Sequence, residues 1–112
     1  MTTITQVQLT APSQLGAADA AVYTSATLST AVIRRAVFCN TTASPTTITA
    51  GITAGVALGA ATTLISARTL APGESYVAPE LAGAVLPPGG TLRAYAGVVS
   101  AVTFTASGLI VQ

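Results

Sequence analysis

The sequence holds no histidine, no tryptophan and no lysine, and charged residues make up only 6% of it. Without histidine the commonest general base and the commonest metal ligand are both missing. A serine or cysteine nucleophile would have no imidazole beside it to take its proton. Asp19 is the sole aspartate, so neither a calcium loop nor a carboxylate metal cage is assembled by spacing. No catalytic residue, metal ligand or cofactor site is expected. The cations are Arg34, Arg35, Arg68 and Arg93. Non-specific DNA binding draws on about 6–10 phosphate contacts, so nucleic acid is a poor partner.

Cysteine is nearly absent as well. Cys39 stands alone, which excludes an intrachain disulfide, and its setting Val37-Phe38-Cys39 reads as a small core hydrophobe. Residues 36–67 carry no charge, yet Thr, Ser, Asn, Pro and Gly interrupt them repeatedly. A spanning helix needs about 20 predominantly apolar residues, so no membrane segment is expected. The first residues lack both a basic region and a continuous apolar stretch, so they do not read as a signal peptide. The product is expected to begin in the cytoplasm.

Hydrophobic residues, in contrast, make up 51% of the 112 residues, while the net charge is only +1. That combination is the reverse of a disordered chain, and the length suits one domain. Thr, Val and Ile dominate, and side chains branched at Cβ suit a pleated surface better than a helix. The expected fold is all-β, an antiparallel β-sandwich or jelly roll of seven to eight short strands.

Residues 3–10 alternate with a period of two and read as a first strand or an extended arm. Residues 13–21 read as a loop, with a strand starting near residue 21 and a break over residues 24–30. Residues 31–40 form the strongest strand. Alternation there places Val32, Arg34, Ala36 and Phe38 on one face and Ile33, Arg35, Val37 and Cys39 on the other, so the two guanidinium groups should diverge. The simplest fate for the pair is one arginine in a salt bridge and one at the surface.

In residues 46–53, Ile48, Ala50 and Ile52 should face inward, with Thr47, Thr49 and Thr53 in water. Leu70-Ala71-Pro72-Gly73 and Leu86-Pro87-Pro88-Gly89 carry type II turn chemistry and should reverse the chain. They punctuate strands over residues 62–70, 74–78, 91–96 and 101–111. The expected organisation is an N-terminal strand or arm over residues 1–15 and one sandwich domain over 16–112.

Glu74 and Glu80 are the closest carboxylates, as a glycosidase would require, but both sit at turns and read as solvated charges or partners of an arginine. Tyr23, Tyr76 and Tyr95 would suffice for a sugar-stacking platform if they shared a face, although such residues more often close a core. A domain of this size buries only about two thirds of its unfolded surface. Much of its exterior is therefore Ala, Thr, Val and Gly, a surface that favours association. A homo-oligomer is expected.

Several runs carry a resemblance. Tyr23-Thr24-Ser25, Thr30 to Thr41, Thr46-Thr47-Ile48-Thr49, Leu70 to Ser75 and Ala101 to Gly108 resemble small virion proteins of tailed bacteriophages. The resemblance implies a structural virion protein with no catalytic residues, similar to the capsid decoration, or cement, proteins that form trimers on the outside of the head. It implies a homotrimer and the major capsid protein as partners, and a place on the capsid exterior. Similar patterns occur in tail, neck and fibre modules, which makes a tail part the first alternative; a carbohydrate-binding or adhesin module is the alternative of another class. The candidate partner contacts are Thr3, Ile4, Thr5, Gln6, Val7, Gln8 and Leu9, offered as a strand added to a neighbour's sheet edge, together with Arg34 and Arg35.

Overall fold

A computed structural model describes residues 3–112; residues 1 and 2 of the expected N-terminal arm lie outside the described residues. The described chain is all-β, with nine strands: β1 (Ile4–Gln14), β2 (Ala20–Thr24), β3 (Thr30–Asn40), β4 (Thr46–Thr53), β5 (Thr63–Leu70), β6 (Ser75–Val77), β7 (Val85–Leu86), β8 (Thr91–Ala96) and β9 (Val102–Val111). No helix among them is long and apolar enough to cross a membrane.

The strands form two antiparallel sheets. Sheet A runs β1-β9-β3-β6, with β7 also paired to β3, and sheet B runs β2-β8-β4-β5. Because β6 and β7 flank the same strand, they fill one position between them. Consecutive strands then cross from one sheet to the other, except for the β4–β5 hairpin within sheet B, as in the two interlocked Greek keys of a jelly roll. Seven to eight strands become nine because β7 is only two residues long, too short to show a period of its own.

The core lies between the sheets. Phe38 and Phe104 are cross-strand partners on β3 and β9, fully buried, with ring centroids 4.8 Å apart and tilted by 44°. Tilted aromatic pairs of this kind add to their area burial because ring edge meets ring face. Ile33, Ile48, Leu70, Leu81, Leu86, Leu92 and Val102 complete the filling, with Ala36, Ala50, Ala94 and Ala106 between them. Alternating large and small side chains let the facing layers interdigitate.

Both Pro-Gly turns are corners between sheets. Pro72-Gly73 carries the chain from β5 in sheet B to β6 in sheet A, and Pro88-Gly89 from β7 in sheet A to β8 in sheet B. Gly73 and Gly89 take φ of +74° and +79°, the positive value that a type II turn requires.

Asn40, the last residue of β3, is fully buried. Its side-chain amide donates to the carbonyls of Ser44 at 2.9 Å and Leu70 at 3.1 Å. Its oxygen accepts from the Thr42 amide at 3.0 Å and hydroxyl at 2.7 Å. One side chain thus fastens the β3–β4 connection to the end of β5.

The described N-terminal residues form a paired strand of the sandwich. Ile4 to Gln14 pair antiparallel with β9 along almost its whole length, with bulges at Leu9 and at Ala11-Pro12. Ser13 and Gln14, read as loop, belong to this strand, and β2 starts at Ala20. The pairing partner lies at the far end of the chain, so local composition could not reveal it.

Candidate functional site

The two sheets differ in what covers their outer faces. On sheet B, Thr49 and Thr53 were expected in water and are buried. The connection after β4, residues 54–62, folds back over this face. Thr53 Oγ1 donates to the Val56 carbonyl at 2.7 Å, and Thr53 and Thr91 meet hydroxyl to hydroxyl at 2.6 Å. The Ala67 amide donates to Thr49 Oγ1 at 3.1 Å where β5 bulges, with Ala67 at φ +48°. Gly51 makes the close approach possible: a Cβ there would lie 2.1 Å from the Thr62 carbonyl oxygen.

A charged latch holds the same loop. Asp19 accepts from the Leu58 amide at 2.8 Å and from Arg93 Nε at 2.9 Å, the one ion pair among the described residues. The Leu58 amide, then Arg93, hold the Asp19 carboxyl below its usual range, against an opposing effect of burial. The β4 and β8 part of the outer face of sheet B is therefore covered by its own chain, while β2 and β5 keep exposed residues.

Among the described residues, sheet A has no such cover. Register places Gln6, Leu109 and Val32 in one row across its outer face, and Gln8, Ser107 and Arg35 in the next. Val37 and Thr105, with Val77 beside them on β6, continue the face. Large apolar side chains stand open on it: Ile4 is 64% exposed, Val85 53% and Val77 49%. Exposed apolar side chains also stand elsewhere, at Leu28, Val56, Leu64, Val98 and Val99, but on sheet A they share one face.

Arg34 and Arg35 sit in the middle of this face. The expected alternation fails here, because Ile33 pairs with Gly108 and Arg35 with Ser107, leaving Arg34 as the extra residue of a β-bulge. The bulge resets the parity of β3: Ala31 and Ile33 are buried before it, Ala36, Phe38 and Asn40 after it, and both arginines are exposed. They do not divide between two faces, and neither forms the anticipated salt bridge among the described residues. Gly108 tolerates the crowding opposite the bulge, since a Cβ on it would lie 2.0 Å from the Val32 carbonyl oxygen.

Beside Arg34 an open groove of about 430 Å³ crosses from β3 over β9 to β1, lined also by Gln6, Gln8, Ser107 and Leu109. The structure thus brings Gln6, Val7, Gln8 and Arg34 to one place, while Thr5 pairs with Ile110 and Leu9 packs against the core. Thr3 continues the ladder beyond β1, exchanging backbone hydrogen bonds with Gln112 at 2.8 and 2.9 Å. Cys39 is a half-buried free thiol on the outer face, opposite Thr103, and not a core residue.

The other candidate constellations do not converge. Glu74 accepts from the Ala71 amide at 2.7 Å across its own turn. Glu80 accepts from the Tyr76 hydroxyl at 2.5 Å, and Arg68 stacks over the Tyr76 ring at 4.0 Å. That hydroxyl holds the Glu80 carboxyl low, while burial and then Glu80 push the Tyr76 phenol up. Tyr23 and Tyr76 pack against the core from different sheets, whereas Tyr95 lies outward opposite Thr49, so the three tyrosines form no common platform. No group of three or more Cys, Asp or Glu among the described residues could hold a metal ion.

No family model and no curated protein matches this sequence. Solved structures do match its fold. The chain resembles the infectious bursal disease virus Gx strain structure at 15% identity and a TM-score of 0.54, covering 99% of this chain and 32% of that one. A VP2 subviral particle of infectious bursal disease virus matches at 15% identity and a TM-score of 0.52, over 98% of this chain and 32% of that chain. An icosahedral particle of the same virus gives 10% identity and a TM-score of 0.56, over 98% and 30%. The chain spans about a third of the length of these proteins, and what it shares with them is the jelly-roll β-sandwich.

Proposed function

We propose that this chain is a structural virion protein, a capsid decoration protein that stabilises a phage head by bridging neighbouring shell subunits from outside. The observation that carries the proposal is the contrast between the two sheets: a loop covers the middle of one, while the other leaves an apolar face open with two arginines that form no ion pair among the described residues. A protein of this kind works by burying area and needs no reaction centre. A standard specific interface covers about 1,600 Å², and a homotrimer would repeat each contact by symmetry, so modest contacts sum. The jelly roll, a fold used by viral capsid domains, and the likeness to viral particle structures support the same reading.

The deciding measurement is the copy number of this chain in purified source particles, by quantitative mass spectrometry against the major shell protein. About one copy per shell subunit is the expected result. A handful of copies would move the protein to the tail or neck, and absence from the particle would refute a virion role.

A further inference from the structure

Resting on that reading, we infer that Arg34 and Arg35 are anchors for carboxylates, so that the bare face of sheet A takes an acidic segment of the shell protein. Register places Arg35 on this face and Arg34 lines its groove, and they carry the only charged side chains among the described residues found there. The chain's other cations are already engaged, Arg93 by Asp19 and Arg68 by the Tyr76 ring. The bulge turns both guanidinium groups to solvent, and bulges commonly re-aim side chains at functional sites. Guanidinium groups bind carboxylates through paired hydrogen bonds, and arginine is enriched at interface centres where lysine is depleted. Gln6, Gln8 and Ser107, which line the groove beside Arg34, supply further hydrogen-bonding groups for an extended segment.

A second copy of this chain is a poor source of those carboxylates. Asp19, Glu74 and Glu80 each already accept a hydrogen bond within the fold. Nucleic acid is a poor source too, because two arginines fall well short of the phosphate contacts that even non-specific binding uses.

The test is rebinding of purified chain to source particles stripped of it, followed by sedimentation at 50 and 500 mM salt. The wild type should rebind and weaken about tenfold or more at the higher salt. The Arg34→Gln, Arg35→Gln double variant should bind at least tenfold more weakly with a flatter salt dependence, and Arg34→Lys, Arg35→Lys should recover part of the loss. Thermal melting should be unchanged in both, since the side chains are exposed. Polyglutamate, but not an oligothymidylate, should compete for the wild type.

Equal rebinding of the glutamine variant would overturn the carboxylate anchor while leaving the decoration role standing. Competition by the oligothymidylate alone would also overturn it, in favour of phosphate. Loss of self-association in the glutamine variant, read by light scattering, would reassign the pair to contacts between copies. A wild type that rebinds to no particle would refute the underlying role, and the inference with it.

Discussion

Asp19 and Arg93, 74 positions apart, meet at 2.9 Å on the outside of sheet B, and the same carboxylate holds the Leu58 amide at 2.8 Å. One side chain thereby fixes a loop to a strand. Replacing Asp19 with Ala should release residues 54–62 and cost about 1–3 kcal/mol, as expected for hydrogen bonds to a charged group. Hydrogen exchange at the Leu58 amide should accelerate well before global unfolding.

The latch also predicts a pH dependence. The folded Asp19 carboxyl titrates below the unfolded value of about 3.9, so its contribution is present above that pH and lost as pH falls through the folded value. Glu80 is shifted the same way and adds to the slope. Melting curves between pH 6 and pH 2 should therefore fall more steeply for wild type than for Asp19→Asn. Parallel curves would show that the latch carries no charge-dependent stability.

Gly51 sits beneath the latched loop. Gly51→Ala places a Cβ 2.1 Å from the Thr62 carbonyl oxygen, against backbone that cannot swing aside. The loop should lift from sheet B and the melting temperature fall by several degrees, about 4–8 °C per kcal/mol at this size. Limited proteolysis within residues 54–62 is the direct readout.

Asn40 offers an isosteric test. Asn40→Asp removes the amide that donates to the Ser44 and Leu70 carbonyls and sets a buried carboxylate against them. A buried acceptor facing acceptors costs about 3 kcal/mol or more. Urea denaturation should show a lowered midpoint that partly recovers at acidic pH, where the carboxyl can donate again.

Phe104→Ala should cost about 3–5 kcal/mol, because Phe38 would face a cavity between the sheets. Against a typical total of about 5–15 kcal/mol this is a large share of the fold. A double variant with Phe38→Ala should show less than additive loss, since the two rings are one contact.

The sequence made most strands legible, for a local reason. Residues 91–96 were read with the bounds of β8, and residues 46–53 with those of β4, because β-branched periodicity and flanking turn residues are local properties. What failed was the assignment of faces. In β3 the bulge at Arg34 shifts parity halfway along, and in β4 Thr49 and Thr53 are dry because the β5 bulge and the following loop cover them. Of the candidate contacts, Gln6, Gln8 and Arg34 meet at the groove, but Thr5 and Leu9 do not, because strand alternation turns them to the opposite face from Gln6 and Gln8.

By itself, then, the sequence determined an all-β chain, the Pro-Gly corners and a residue set without histidine. These follow from residue type and near neighbours. Only the tertiary structure decided which sheet face stays bare and that both arginines stand on it. Bulges and loop packing depend on pairing between distant segments, such as Ile4 with Val111 and Asp19 with Arg93, and no local pattern encodes that geometry.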